Sequence, residues 1–246
     1  MPSVISSARG ILPEWIRRPL RSLRWRVRAE FRTLDAALGR AQPAVYAIGD
    51  SHAKYNFGAD PRIRVRHLGP VTMYRIARDG RKAVSLKELG VVQGDIVIWC
   101  LGAIDVSNHL IKQRDVQGIP VEEVIDSLAR KYLQSVATIQ EEIGDVTMLI
   151  LAVIPPTDQG ERTEIPIAGS LEERVNARTS LNAVLKRYSL ERGFNFLDPY
   201  GPFTDSTGVL KPEMSDGSVH CGPSFAPLIV QQVMGAVAPW RKYPST

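Results

Sequence analysis

Three short, nearly continuous apolar runs, each stopped by glycine or proline, constrain this chain more than any other feature: Ala44 to Gly49, Asp95 to Gly102 and Val146 to Ile154. Runs of this length and continuity suit strands covered on both faces, as in the centre of a parallel sheet. Ile63 to Leu68 instead alternates apolar with basic residues and ends at Gly69-Pro70, the pattern of a strand at a sheet edge, and Phe194 to Asp198 is a shorter candidate for a fifth strand. Helical patterns separate the runs. Pro120 precedes Val121, Val124, Ile125, Leu128, Tyr132, Val136, Ile139 and Ile143, with Gly144 beyond. Ser170 and Glu173 have capping-box spacing ahead of Val175, Leu181, Val184, Leu185 and Tyr188, Gly193 closes that segment, and a last helix is predicted over 225–237. Strands alternating with helices imply right-handed crossovers and a parallel α/β sheet. At 246 residues the chain accommodates one such domain with an appendage, or two small domains.

The first run carries more than apolar side chains. It breaks at Gly49 and then presents Asp50, Ser51 and His52 in succession. Ligands in open parallel sheets bind beyond the carboxyl ends of the strands, which is where these three residues fall. The segments following the strands, at 53–62, 103–119, 155–169 and 199–223, are long and polar, as expected of loops that build a site on one sheet edge.

Charge divides the chain. Residues 1–41 hold nine arginines against Glu14, Glu30 and Asp35, whereas the remainder has 22 basic and 23 acidic residues. The formal charge of +5 therefore describes the amino-terminal segment, and nucleic-acid binding by the domain is not implied. Within 12–38, Leu12, Ile16, Leu20, Leu23, Val27, Phe31, Leu34 and Leu38 recur at spacings of three and four, the mark of an amphipathic helix, with Pro19 at its expected start. Such a stripe serves three ends: packing on the domain, oligomer contact, or peripheral attachment to an anionic membrane. We divide the chain into a basic helical extension over 1–42 and a domain over 43–246. Cys100 and Cys221 form no disulfide framework or metal-spaced pair, and the amino terminus lacks a secretory apolar core. A cytoplasmic location, with the helix as a peripheral membrane contact, is the expectation.

A serine hydroxyl becomes a nucleophile when a base takes its proton and a third group orients that base. Ser215 to Gly222 supplies both partners, Asp216 and His220, in one loop ahead of the last helix. With Gly49-Asp50-Ser51 after the first strand, Gly69 after the second, and Gly102-Ala103-Ile104-Asp105 after the third, the chain resembles the SGNH (GDSL-type) hydrolase family over about residues 43–240. The resemblance implies a flavodoxin-like three-layer sandwich with a five-stranded parallel sheet in the order 2-1-3-4-5. It also implies an esterase acting without cofactor or metal, in which Ser51 attacks, His220 is the base and Asp216 orients it. The oxyanion hole would use the N–H groups of Ser51 and Gly69 and an asparagine side chain. That asparagine position is occupied here by Ile104, so Asn108 is the candidate donor. The spacing of Asp216 and His220 is one residue wider than the family's. His-Leu-Gly-Pro at 67–70 and Gly-Ala-Ile-Asp-Val-Ser-Asn-His at 102–109 further resemble a bacterial branch associated with surface-polysaccharide genes, which implies an O-acetyl group on a carbohydrate as the ester.

His52, Asp105 and His109 are weaker candidates for substrate contact, and His67 reads as structural. Cys221, beside the base, offers a second nucleophile. Arg75, Arg78, Arg81 and Lys82 form either an anion site or a solvated face. Two other functions compete. Asp50-x-His52 could begin a metallophosphoesterase metal site, although no Gly-His-x-His follows. A non-catalytic glycan-binding or assembly protein on the same fold is the other, and Ile104 is the residue that argues for it.

Overall fold

Why the chain must turn where it does is explained by the contacts of its first strand. A computed structural model describes residues 14–158 and 166–240, with side-chain surroundings from Trp25 onward. Helix α1 (Glu14–Ala37) leads into β1 (Val45–Gly49), α2 (Ser51–Phe57), β2 (Ile63–His67), α3 (Met73–Asp79) and β3 (Ile96–Cys100). A π-helical turn (Asp105–His109), α4 (Leu110–Gln117), α5 (Val121–Gln140), β4 (Thr147–Leu151), α6 (Leu171–Glu191), β5 (Asn195–Leu197) and α7 (Ala226–Val237) follow. All strands pair in parallel, in the order β2-β1-β3-β4-β5. This is the architecture that the resemblance implies.

Alternation along the buried strands divides the core in two. Tyr46, Ile48, Val97, Trp99, Met148 and Ile150 join α3, α4, α5 and α6 on one face, while Val45, Ala47, Ile96, Ile98, Leu149 and Leu151 join α2 and α7 on the other. Every residue of β1 and β3 is buried, which accounts for their unbroken apolar sequence. Asp95 fixes the start of these strands: it accepts N–H bonds from Ala44 at 2.8 Å and Val92 at 2.9 Å and pairs with Arg32. Gly49 closes β1 against its neighbour. A Cβ there would lie 2.0 Å from the carbonyl oxygen of Cys100, so only glycine permits the approach.

Several expectations require correction. Helix α1 begins at or before Glu14, so Pro19 lies within it rather than at its start. Leu12 and the side chains of Ile16, Leu20 and Leu23 lie outside the described residues. The rest of the stripe faces solvent, with Val27 at 49% exposure, Phe31 at 67%, Leu34 at 55% and Leu38 at 53%. It does not pack on the domain. The helix docks instead through Ala29, which meets Gly90, and Trp25, whose ring receives the buried guanidinium of Arg66 at 5.5 Å. The expected loop at 53–62 is largely α2, and the one at 103–119 contains the π-helical turn and α4. No described helix is long and apolar enough to cross a membrane.

Gly49→Ala should destabilise the fold by about 3 kcal/mol or more, at the upper end of overpacking costs, because the opposing atom is backbone and cannot rotate away. Chemical denaturation of the two proteins checks this, and a change under about 1 kcal/mol would contradict the close approach.

Candidate active site

Chain reversal after β1 brings three polar residues to the carboxyl edge of the sheet. Asp50 caps α2, accepting the N–H of His52 at 2.9 Å, and Ser51 is the first residue of that helix. From the other end of the chain, an antiparallel bridge between Ser215 and Cys221 closes a tight hairpin, and the N–H of Asp216 donates to the carbonyl of His220 at 3.0 Å. The bridge makes Asp216 and His220 facing neighbours, which accommodates the extra residue in their spacing. One Asp216 oxygen receives the loop N–H groups of Ser218 and His220. Its other oxygen lies 3.0 Å from Nδ1 of His220, and Nε2 of His220 lies 2.8 Å from Oγ of Ser51. Ser51 and the two residues of a hairpin remote from it in sequence thus form one hydrogen-bonded file.

A second histidine stands behind the first. His52 has Nδ1 3.0 Å from Asp50 and Nε2 3.1 Å from the carbonyl oxygen of Val219. A carbonyl only accepts, so Nε2 carries a proton, while Nδ1 faces a carboxylate. Burial opposes charge on this ring, but Asp50 beside it more than compensates and holds His52 above the ordinary histidine range. His220 shifts the opposite way: burial pushes it down, the charge of His52 adds to this, and Asp216 only partly offsets them. The ring of His220 packs between those of His52, at 4.9 Å, and Tyr55, at 4.1 Å and nearly parallel. Tyr55 escaped the sequence reading, although its position one helical turn after Ser51 is the signal that could have found it.

A cavity of about 390 Å³ opens beside Ser51, lined by Asp50, His52, His67, Gly69, Ile104, Ser107, Ile154, Thr157 and Arg174, among others. His67, expected to be purely structural, is therefore on the cavity wall. Among the described residues the backbone N–H groups of Ser51 and Gly69 have no protein acceptor. Gly69 has φ +79° and open space where a side chain would project, so it reaches the cavity wall in a conformation that favours glycine.

Asn108 is not at the cavity. Its amide donates to the carbonyl of Pro166, because the π-helical turn rotates it outward and leaves Ser107 on the lining. Ile104 occupies the wall where the family's donor would be, and it presents no N–H side chain. Asp105 and His109 are not substrate-facing either. Asp105 is fully buried and accepts the N–H groups of Met73, at 2.8 Å, and Tyr74, at 3.2 Å, so it holds the start of α3. Burial raises its carboxyl to about 6, against the opposing pull of those two donors. His109 packs on Tyr74, with ring centres 4.2 Å apart. Cys221 is buried and its thiol is pushed up to about 12, which removes it as a nucleophile at neutral pH. The basic cluster after β2 is committed elsewhere: Arg75 and Arg78 pair with Asp79, and Arg81 binds the end of α5. Both ring nitrogens of His52 are engaged within the protein, and among the described residues no three His, Cys, Asp or Glu side chains converge as a metal site.

No family model matches the sequence, and no curated protein matches it. Solved structures do. A protein from Bacteroides fragilis assigned as an acylhydrolase aligns over 85% of this chain and 94% of its own, at 17% identity and a TM-score of 0.59. A GDSL-like lipase from Bacteroides thetaiotaomicron aligns over 86% and 97%, at 16% identity and a TM-score of 0.57. The OSK domain of Drosophila Oskar aligns over 80% and 88%, at 11% identity and a TM-score of 0.50. Because proteins named as hydrolases and one that is not share this architecture, the chemistry has to be argued from the site. Sheet order and these neighbours together establish that the chain has the GDSL/SGNH hydrolase fold.

Proposed function

We propose that the protein is a serine ester hydrolase. The observation that carries this reading is the 2.8 Å contact between Nε2 of His220 and Oγ of Ser51, with Asp216 on the far side of the ring. In the reaction, Ser51 attacks the ester carbonyl as His220 takes its proton. His220, now charged and stabilised by Asp216, returns that proton to the departing alkoxide. Water, or another hydroxyl, then attacks the acyl-enzyme by the same route in reverse. The free N–H groups of Ser51 and Gly69 are the donors suited to the developing oxyanion.

The ester is read as an O-acetyl group on a carbohydrate. What supports this is the size of the cavity, at the small end of the range for ligand sites, together with the sequence resemblance at 67–70 and 102–109. The non-catalytic reading is weaker. A serine, a base and an orienting carboxylate held in file have no binding role that needs all three.

The purified protein should hydrolyse 4-nitrophenyl acetate, and Ser51→Ala should lower kcat by about 10⁴-fold or more. Equal rates for the two proteins would overturn the hydrolase reading. Asn108→Ala should lower kcat less than tenfold, because its amide binds Pro166, whereas loss of a true oxyanion donor costs about a hundred- to a thousandfold.

The pH dependence follows from the two histidines. His220 must be neutral to accept a proton, so kcat/KM rises with pH through its pKa. That value lies below the ordinary histidine value of about 6.5, and the acidic limb should therefore fall below pH 6.5. His52→Gln keeps a donor for the Val219 carbonyl but removes the neighbouring charge, so the limb should move to higher pH. A pH–rate profile of each protein reads this, and an unmoved limb would contradict the coupling.

A further inference from the structure

One side chain of the cavity wall, Arg174, is the top rung of a polar ladder on α6. Arg174, Arg178 and Asn182 recur every fourth residue on its buried side. The two lower rungs are satisfied by the chain leaving β4. Arg178 donates to the carbonyl of Val153 at 2.9 Å, and Asn182 both accepts the N–H of Val153 at 2.8 Å and donates to its carbonyl. The top rung is different. Arg174 is only 7% exposed and reaches the carbonyl of Thr157 at 3.5 Å, the outer limit of a hydrogen bond, while its Nε has no partner among the described residues. Thr157, 4% exposed and in the same wall, has an Oγ1 without a partner among the described residues.

Buried donors left bare are costly, and a charged one most of all. Burial pulls the guanidinium below its ordinary value, and Asp158 is the carboxylate whose charge opposes this. Asp158 is exposed, and among the described residues no carboxylate comes within ion-pair distance of Arg174. The two carboxylates of the site each face a histidine, Asp50 pairing with His52 through Oδ1 while its buried Oδ2 has no protein partner among the described residues, and Asp216 pairing with His220. The remaining lining is chiefly apolar, including Ile104, Val106, Ile154, Pro155 and Ile167. Arg174 is then, among the described residues, a buried cation without an ion-pair partner in a largely apolar wall, which is complementary to a ligand with one anionic group.

We propose that Arg174 and Thr157 form a subsite for a carboxylate carried by the ester substrate, so that the site selects acidic over neutral esters. The planar guanidinium matches a carboxylate through parallel N–H donors, with the Thr157 hydroxyl as a third. This rests on the hydrolase reading and narrows it: the ester would stand on, or contain, an acidic group, as in an acetylated acidic sugar or a half-ester of a dicarboxylic acid.

The test uses two chromogenic pairs, each a carboxylate against its methyl ester. 4-Nitrophenyl hemisuccinate carries the charge on the acyl side, and 3-carboxy-4-nitrophenyl acetate carries it on the leaving side. For one pair, wild-type kcat/KM should favour the carboxylate by about ten- to a hundredfold, the scale of a charge-assisted hydrogen bond, and the responding pair identifies the side. Arg174→Gln should bring that ratio near one, Arg174→Lys should restore part of it, and Thr157→Val should reduce it with Arg174 intact. Ratios are taken within each protein, so a general loss of activity does not affect them. A wild-type ratio at or below one for both pairs, or one unchanged in Arg174→Gln, overturns the subsite while leaving the hydrolase standing. If no ester is cleaved, the hydrolase reading fails. The subsite is then judged by thermal shift with benzoate against benzamide: stabilisation by benzoate that Arg174→Gln abolishes supports it, and equal shifts overturn it.

Discussion

The carboxyl end of β1 can lie against β3 only because residue 49 has no side chain. Its backbone sits where a Cβ would strike the Cys100 carbonyl, and its own carbonyl accepts the N–H of Leu68 at 2.8 Å from the other neighbouring strand. The chain is thus clamped between two strands at the point where it leaves the sheet. Asp50 leaves that clamp directly and caps α2, and Ser51 therefore has a defined direction before any partner is considered. The hairpin at 215–221 then needs only to be held at one height above the sheet for His220 to reach the hydroxyl. His52 does this by binding Val219, so the residue after Ser51 positions the residue before His220.

The three central strands were legible because a parallel sheet buries both their faces, and β2 because its alternation of apolar with basic residues marks a sheet edge. The capping box at Ser170 and Glu173 was legible for a comparable reason, since its bonds are made within one turn of chain. Ser51, Asp216 and His220 could be grouped because catalysis needs those side chains whatever the fold. The amino-terminal helix shows the limit. Periodicity states which residues share a face, and it does not state which face the domain accepts. The contacts that chose Ala29 and Trp25 over Phe31 and Leu34 come from Gly90, Asp95 and Arg66, all remote in sequence. Asn108 failed for a subtler reason. The reading counted positions as on a regular loop or helix, and a π-helical turn adds rotation that no local residue type announces.

Arg174 illustrates a signal that was present and unused. An arginine, another arginine and an asparagine at fourfold spacing, interleaved with Ala177, Leu181 and Leu185, cannot lie on a solvated face without exposing those apolar residues as well. The pattern implies buried polar groups with definite partners. Two of the three find theirs in the backbone after β4, where a strand end leaves N–H and C=O groups without a neighbour.

Two histidines in contact at one site would ordinarily compete for the same proton. Here their surroundings separate them. His52 is enclosed by a carboxylate and a carbonyl, which together favour the doubly protonated ring, whereas burial and the neighbouring His52 disfavour charge on His220, whose Nδ1 faces a carboxylate and whose Nε2 faces a neutral hydroxyl. Each state reinforces the other, since a charge on His52 disfavours a second charge 4.9 Å away. The arrangement holds His220 below the ordinary histidine range while leaving Asp216 at its Nδ1, where the proposed mechanism needs it once the ring becomes charged. It also sets Asp50 and Asp216 each against a histidine. With those carboxylates so paired, Arg174 is left, among the described residues, as a buried cation at the cavity without an ion-pair partner.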